Sequence, residues 1–240
     1  MRFLLLDTAD ARGCVALFCD TKLLCISRHS AEEDFSSWLL PAVHLALTRQ
    51  ALSLADLDGY AVCAGPGSFT GLRVGLTTVK AWAEIYQKPI AAVSRLEALA
   101  VDDDASRGSK PRFTAVFTDA RRAQVFAALY GDSGAPIEPE AVIALEIFLS
   151  KIESACGTAH VLWKSPDPHL LESLPAWPAR KANGDILEPV EPPFAPQLGT
   201  LARQKFLHGQ TTDALNLEAN YIRRSDAELF WKDHASAVKA

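Results

Sequence analysis

The sequence contains few cysteines, and their spacing suits neither a metal site nor a disulfide framework. The five cysteines are an odd number and form no C-x-x-C pair, a pattern that argues against a zinc ribbon and favours reduced thiols in the cytosol. Positive charge is not in excess either, since 24 Lys and Arg stand against 29 Asp and Glu, for a net charge of −5. Such a chain does not coat nucleic acid by itself, so any RNA contact needs positive surface from another chain.

Long apolar runs are absent as well. The first run, residues 3–6, ends at Asp7 and is too short for the apolar core of a signal peptide. The longest run, residues 38–47, is interrupted by Pro41 and His44 and falls short of the ~20 residues that a membrane span needs. These absences predict a cytoplasmic protein with no membrane partner.

Apolar segments alternate with polar turns in the N-terminal part of the chain, and 49% of all residues are hydrophobic, enough for a sizeable core. Residues 2–28 predict three short strands in a meander. Residues 59–64 and 90–94 predict two further strands, with a helix over residues 68–87 between them. Because a strand–helix–strand unit crosses over in the right-handed sense and pairs its strands in parallel, the pattern predicts an α/β fold.

Another helix is predicted over residues 36–50. Ser36 or Ser37 is expected to cap it, which would put Pro41 near the first turn, where a missing N–H costs least. Apolar residues lie almost all round this helix, a distribution typical of a helix that is covered on every side.

A polar stretch over residues 102–110 is the best boundary within the chain, since it changes from acidic to basic and contains Gly and Ser. After it, a strand–turn–strand pattern over residues 113–130 repeats the arrangement around Asp7. We therefore predict a duplication, with an N-terminal lobe over residues 1–107 and a smaller, degenerate lobe over residues 108–240.

The C-terminal part is less regular. Eight of the fourteen prolines fall within residues 166–196, so short elements and long loops are predicted there, followed by a helix over residues 197–207. The closing segment, residues 220–228, is predicted to be extended and carries Arg223 and Arg224. Adjacent arginines are most often a solvated end, and contact with phosphate is the alternative.

A glycine-rich loop, AGPGSFTGLRVG, leads from a predicted strand into a predicted helix. It matches neither the Walker A pattern, nor G-x-G-x-x-G, nor the G-x-S-x-G elbow of serine hydrolases. Two interpretations stay open: an anion-binding loop at the helix N-terminus, and a tight turn that lets the helix pack closely on the sheet, which is favoured. The candidate loop residues are Gly65, Pro66, Gly67, Ser68, Phe69, Thr70, Gly71 and Arg73.

Five segments together resemble one family. FLLLDTAD, CAGPGSFTGLRVGLTTVKAWA, AVSRLEALA, FTDARRAQVFAALY and NYIRRSDAE occur in this order, and the chain is similar to the TsaB family, also called YeaZ, of bacterial tRNA threonylcarbamoyladenosine biosynthesis proteins. GPGSFTGLR is highly specific to that family. The similarity is densest over residues 1–130 and thin over residues 131–215.

The resemblance implies two ribonuclease-H-like lobes of the actin-like ATPase (ASKHA) superfold, each a mixed sheet flanked by helices. It also implies a role in forming threonylcarbamoyladenosine at position 37 of tRNAs that read codons starting with adenine. In that family TsaB is not the catalyst but forms a heterodimer with the metal-dependent transferase TsaD, which the ATPase TsaE joins. Contact with tRNA is then indirect, through the complex. A nucleotide at the complex interface and a homodimer in the absence of the partner stay open.

The residues that correspond to catalytic motifs depart from them. The Asp-x-Gly hairpins that hold phosphate in actin-like ATPases read Asp7-Thr8-Ala9 and Asp119-Ala120-Arg121 here. The transferase carries a metal-binding His-x-x-x-His pair, but Leu40 stands four residues before His44. We therefore expect no catalytic residue, no metal site and no cofactor bound by this chain alone. The alternative is an enzyme, either a glycoprotease-like hydrolase or a stand-alone nucleotide hydrolase.

The two predicted helices of the first lobe carry more apolar residues than one sheet needs to cover. In the family this helical surface pairs with its counterpart on the transferase, so we expect a pseudo-twofold four-helix contact. The alternative is that both helices pack only within their own lobe. The predicted contact residues are Trp38, Leu39, Val43, Leu47, Val74, Gly75, Thr78, Ala81, Trp82 and Ile85.

Overall fold

The computed structural model describes residues 1–30, 32–101 and 112–223. These residues form two five-stranded sheets flanked by helices. The strands are β1 Arg2–Asp7, β2 Cys14–Cys19, β3 Lys22–Arg28, β4 Gly59–Gly65, β5 Ile90–Ser94, β6 Phe113–Asp119, β7 Val125–Gly131, β8 Pro136–Ile143, β9 Leu162–Ser165 and β10 Ile186–Pro189. The α-helices are α1 Phe35–Thr48, α2 Phe69–Tyr86, α3 Arg95–Ala100, α4 Leu145–Cys156, α5 His169–Glu172, α6 Trp177–Ala182 and α7 Ala195–Leu207.

The first sheet has the order β3-β2-β1-β4-β5. The β1–β2–β3 meander pairs antiparallel, whereas β1, β4 and β5 pair in parallel. Every residue of β4 is buried, as expected for a parallel strand covered on both faces. The predicted meander and the strand–helix–strand unit that follows it are therefore confirmed.

The second sheet repeats this topology. Its order, β8-β7-β6-β9-β10, matches the first sheet strand for strand, with the same antiparallel meander and the same parallel pairs. The predicted duplication into two mixed sheets is confirmed. The predicted boundary between residues 107 and 108 lies outside the described residues.

Each sheet receives a helix from the other half of the chain. Helix α3 packs on β6 and β7 as well as on its own sheet, and α7 packs on β1 and β5. Phe194, Leu198 and Ala202 thus belong to the core of the first lobe, although the sequence pattern assigned them to the second. This exchange couples the two lobes through apolar contacts.

Helix α1 differs from its prediction at its start. Asp34 is the N-cap, and neither Ser36 nor Ser37 caps the helix. Ser37 instead donates its hydroxyl to the Asp34 carbonyl oxygen at 2.9 Å. Pro41 consequently lies in the second turn. No helix among the described residues is long and apolar enough to cross a membrane.

Candidate functional site

The glycine-rich loop joins β4 to α2 through a sharp backbone turn. Gly65 has φ +113° and is followed by a cis peptide bond to Pro66. Ser68 is the N-cap of α2, and its Oγ accepts a hydrogen bond from the Gly71 backbone N–H at 3.3 Å. One free N–H of the helix N-terminus is therefore already satisfied within the loop.

Two glycines of this loop lie directly against the first hairpin. A Cβ on Gly67 would lie 2.2 Å from the Ala9 carbonyl oxygen, and a Cβ on Gly71 would lie 2.1 Å from that of Thr8. The Ser68 N–H donates to the Ala9 carbonyl at 2.7 Å, and the Thr8 hydroxyl donates to the Gly71 carbonyl at 2.7 Å. This geometry favours the packing interpretation of the loop, since its glycines serve close approach of backbones.

Ion pairs connect the two lobes beside the first hairpin. We call this group, Asp7, Asp10, Arg12, Arg95 and Asp167, the interlobe cluster. Asp10 accepts from the guanidinium groups of Arg95 and Arg12, each at 2.9 Å. Arg12 also reaches Asp167 of the second lobe at 3.5 Å. The arginines next to the first hairpin thus already have carboxylate partners.

The pKa values of two aspartates in this cluster shift in opposite directions. Asp7 is completely buried, and desolvation raises its pKa although Arg95 opposes the rise. Burial also acts to raise the pKa of Asp10, but Arg95 and Arg12 overcome it and hold that pKa well below the usual value. Among the described residues, Asp7 Oδ2 and Arg95 Nε have no hydrogen-bond partner.

The second hairpin follows β6. Its turn residues Arg121, Arg122 and Ala123 all have positive φ, a conformation that side chains other than glycine adopt at a cost. The Asp119 N–H donates to Asp167 Oδ2 at 2.9 Å, and Arg121 pairs with Asp119 at 3.2 Å on the surface. Arg121 therefore sits where the phosphate-binding pattern has glycine.

The C-terminal segment, Asn220–Arg223, bridges the two lobes. The Asn220 N–H donates to the Ala64 carbonyl at 2.8 Å, next to the glycine-rich loop. Arg223 donates to the Ala120 carbonyl and to Gln124, each at 2.6 Å. The expectation of a solvated end is thus wrong for Arg223, because both of its Nη atoms are held by the second hairpin. Arg224 lies outside the described residues.

A groove of about 550 Å³ runs between α1 and α2 on the outer side of the first lobe. We call it the docking groove. Leu40 is 58% exposed on its α1 wall. The groove is lined by Phe35, Ser36, Leu39, Leu40, Phe69, Thr70, Arg73, Val74, Thr77 and Thr78.

The predicted contact residues divide into two groups. One group is buried in the chain's own core and consists of Leu39, Val43, Leu47, Gly75 and Trp82; of these, Leu39 also lines the docking groove. The other group is exposed or half-buried and stays a prediction, and it consists of Trp38, Val74, Thr78, Ala81 and Ile85. The periodicity of apolar residues along the helices does not separate the two groups, because it does not show which side of α2 faces α1.

Sequence reasoning missed the interlobe cluster and the exposure of Leu40. Asp10 and Arg95 are 85 residues apart in the chain, so no local pattern connects them. Leu40 lies on the exposed face of α1 beside the buried Leu39. The sequence signal that could have indicated this exposure is that apolar residues lie almost all round this helix. No three His, Cys, Asp or Glu side chains group as metal ligands within the described part of the chain.

Comparisons with known proteins agree with this architecture. The family model for TsaD, tRNA N6-adenosine threonylcarbamoyltransferase, matches residues 27–161. The tRNA threonylcarbamoyladenosine biosynthesis protein TsaB of Escherichia coli is 30% identical over 97% of both chains. TsaB of Bacillus subtilis is 28% identical over 96% of this chain and 98% of its own length.

The fold comparison leads to the same family. The solved structure of YeaZ from Pseudomonas aeruginosa superposes with a TM-score of 0.72 and 25% identity, covering 92% of this chain and 99% of that one. Full-length similarity thus accompanies the shared arrangement of two lobes. The chain belongs to the TsaB family, also called YeaZ, within the wider family that the TsaD model describes.

Proposed function

We propose that this chain is a non-catalytic subunit in the biosynthesis of threonylcarbamoyladenosine in tRNA. In this proposal it forms a heterodimer with a TsaD-like transferase, which contacts the docking groove. The observation that carries the proposal is the groove itself, an apolar surface between two helices that leaves Leu40 58% exposed. Exposed apolar patches of this kind mark sites of protein association.

The identity of the partner follows from the likeness to a transferase. The TsaD model matches residues 27–161, a range that contains both α1 and α2. A paralogue of this kind presents an equivalent helix pair, so the two chains can pack about a pseudo-twofold axis. The exposed part of the predicted contact set, with Ala81 and with Ile85 at 69% exposure, extends the surface along α2.

The absence of catalysis in this chain is supported by its hairpins. Ala9 and Arg121 stand where the phosphate-binding pattern has glycine, and Arg12 and Arg95 pair with carboxylates inside the cleft. A nucleotide phosphate would have to displace those ion pairs. The chain therefore binds no cofactor alone, and any nucleotide binds at the interface with the transferase.

The remaining parts of the proposal follow from the family. The modified base is adenosine 37 of tRNAs that read codons starting with adenine, and tRNA contacts this chain through the complex. A TsaE-like ATPase joins the pair in the cytoplasm.

Leu40→Glu tests the pairing. We expect it to weaken binding of the TsaD-like transferase from the same organism by ~100-fold or more, because burying an unpaired carboxylate costs several kcal/mol. Leu45→Glu is the matched control, since Leu45 is exposed on the same helix but does not line the groove. The readouts are titration calorimetry for binding and circular dichroism for the fold.

Val43→Glu is a poor test because Val43 is buried in the core. Equal binding by folded Leu40→Glu and wild type would place the interface elsewhere.

The enzyme alternative has its own test. The purified chain alone is assayed for ATP turnover and for peptide hydrolysis, and then again with the transferase and tRNA. We expect turnover only in the assembled mixture. Hydrolysis of ATP or peptide by the isolated chain, abolished by a substitution in its interlobe cluster, would establish an enzyme instead.

A further inference from the structure

Arg73 lies on the wall of the docking groove and has no counter-charge among the described residues. Its guanidinium carbon lies 3.8 Å from the centroid of the Phe69 ring, and its Nε donates to the Tyr221 hydroxyl at 3.5 Å. No carboxylate of the described residues forms an ion pair with it. The described residues thus provide no hydrogen-bond or ion-pair partner for either Nη atom.

Four other arginines of the described residues are neutralised or capped. Arg12 and Arg95 pair with Asp10, Arg180 pairs with Asp185 at 2.8 Å, and Arg223 donates to a carbonyl and an amide oxygen. Arg73 differs from these four because, among the described residues, it contacts a ring face and a hydroxyl but no carboxylate. Stacking on an aromatic ring holds the planar guanidinium in one orientation and leaves its fork of donors available.

The surroundings of Arg73 restrict what can pair with it. The groove beside it is walled by Leu40 and Val74 as well as by polar Thr70 and Thr77. A partner that covers these apolar groups also removes water from the guanidinium. Such a partner must supply an acceptor, since a buried, unpaired charge costs several kcal/mol.

We infer that Arg73 is the charged specificity determinant of this surface, and that the docking partner presents an Asp or Glu side chain that forms an ion pair with it. The inference rests on the proposed heterodimer and adds the chemistry of the partner's side of the contact. The C-terminal segment takes part, because Tyr221 packs on Phe69 with ring centroids 5.1 Å apart. It thereby holds the ring on which Arg73 stacks.

The test measures the dissociation constant of the pair with the TsaD-like transferase. Arg73→Glu is expected to weaken binding at least ~10-fold. Arg73→Lys is expected to weaken it less, because lysine keeps the positive charge but lacks the planar pair of donors of the guanidinium group. The affinity of the wild-type chain is expected to fall as the salt concentration rises from 50 to 500 mM. The affinity of Arg73→Met is expected to depend much less on salt. Arg49→Glu, at the exposed C-terminal end of α1, is the control and is expected to bind like wild type.

Charge reversal on the transferase identifies the counter-ion. Each Asp or Glu on its docking surface is changed to Arg in turn, and one such variant is expected to restore binding to Arg73→Glu. If Arg73→Glu and Arg73→Met bind like wild type while Leu40→Glu does not, the result supports the heterodimer and contradicts the inference about Arg73. If Leu40→Glu also binds normally, the proposed interface itself has failed.

Two further outcomes would overturn the inference in favour of another occupant. A second copy of this chain would be indicated if Arg73→Glu disrupted only self-association and Glu84→Lys restored it, since Glu84 is exposed on the same helix. The chain's own C-terminal residues, 224–240, would be indicated if their removal strengthened binding of wild type but not of Arg73→Met. Circular dichroism of every variant separates loss of binding from loss of fold.

Discussion

The two lobes have the same strand order but differ in the helices that follow their fourth strands. In the first lobe, β4 leads into α2, a helix of 18 residues. In the second lobe, β9 leads into α5 and α6, which have 4 and 6 residues. Pro166 and Pro168 precede α5, and Pro175 and Pro178 fall around the start of α6. Proline lacks the N–H that a longer helix needs, so only the first lobe can present a pair of long helices.

The lobes also differ in how they are held together. The first depends on close backbone contacts between α2 and the first hairpin. The second is built around Trp163, which packs edge to face against Phe148 and Trp177 and donates its indole N–H to Asp185 at 2.9 Å. We therefore expect the stability of the first lobe to fall when a side chain is enlarged at these backbone contacts, and that of the second lobe to fall when the Trp163 side chain is made smaller.

Trp163→Ala is expected to have the largest effect. Removing this completely buried ring should lower the free energy of unfolding by about 4 kcal/mol, because it leaves a cavity and removes one hydrogen-bond donor from the buried Asp185. Denaturant unfolding measures the change, and hydrogen exchange locates it. We expect lost protection in β6 and β9 first. Uniform loss over both sheets would show that the lobes unfold as one unit.

Gly71→Ala tests the close packing of the first lobe. The added methyl would lie 2.1 Å from the Thr8 carbonyl oxygen, so we expect a loss of about 3 kcal/mol through displacement of backbone. Gly131→Ala in β7 is the matched control, since its nearest neighbour is the Ile137 side chain at 3.4 Å. Thermal unfolding compares the two. Similar melting temperatures would mean that the loop tolerates a side chain.

Asp10→Asn tests the interlobe cluster and its pH dependence. Asp10 has a folded-state pKa held below its unfolded value, so its ion pairs stabilise the fold above about pH 4 and are lost as pH falls further. At pH 7 we expect the variant to lose about 2 kcal/mol. The deficit should shrink steadily below pH 4. Asp132→Asn, which changes an exposed residue of the β7–β8 turn, is the control. If the loss of stability in Asp10→Asn did not change with pH, the ion pairs of Asp10 would not be its cause.

Lys151→Ala is expected to have the smallest effect. Its ion pair with Glu138, at 3.3 Å, is exposed to solvent, so the loss of stability should stay within about 0.5 kcal/mol. Urea unfolding at low and at high salt measures it. A larger loss would indicate that the edge strand β8 depends on this contact to stay paired.

Local patterns predicted the strands and helices well where the signal is short-range. The first three strands and the helix between β4 and β5 follow from turn residues and from the alternation and periodicity of apolar residues. The start of α1 was misjudged because Asp34 competes with Ser36 and Ser37 as a cap. The candidate site was only partly predictable. Periodicity identified two apolar helices but not which of their residues face the core.

The sequence by itself determined the α/β class, the duplication and the family, because these depend on periodicity and on a contiguous motif. The tertiary structure decided the exchange of α3 and α7 between the sheets, the pairing of Arg95 with Asp10, and the position of Arg223 on the second hairpin. It also decided which residues line the docking groove and that Arg73 lies there without a described counter-ion. The physical reason is distance along the chain. Burial and ion pairing act between groups that are close in space, and residues 85 or 103 positions apart meet only once both sheets have formed.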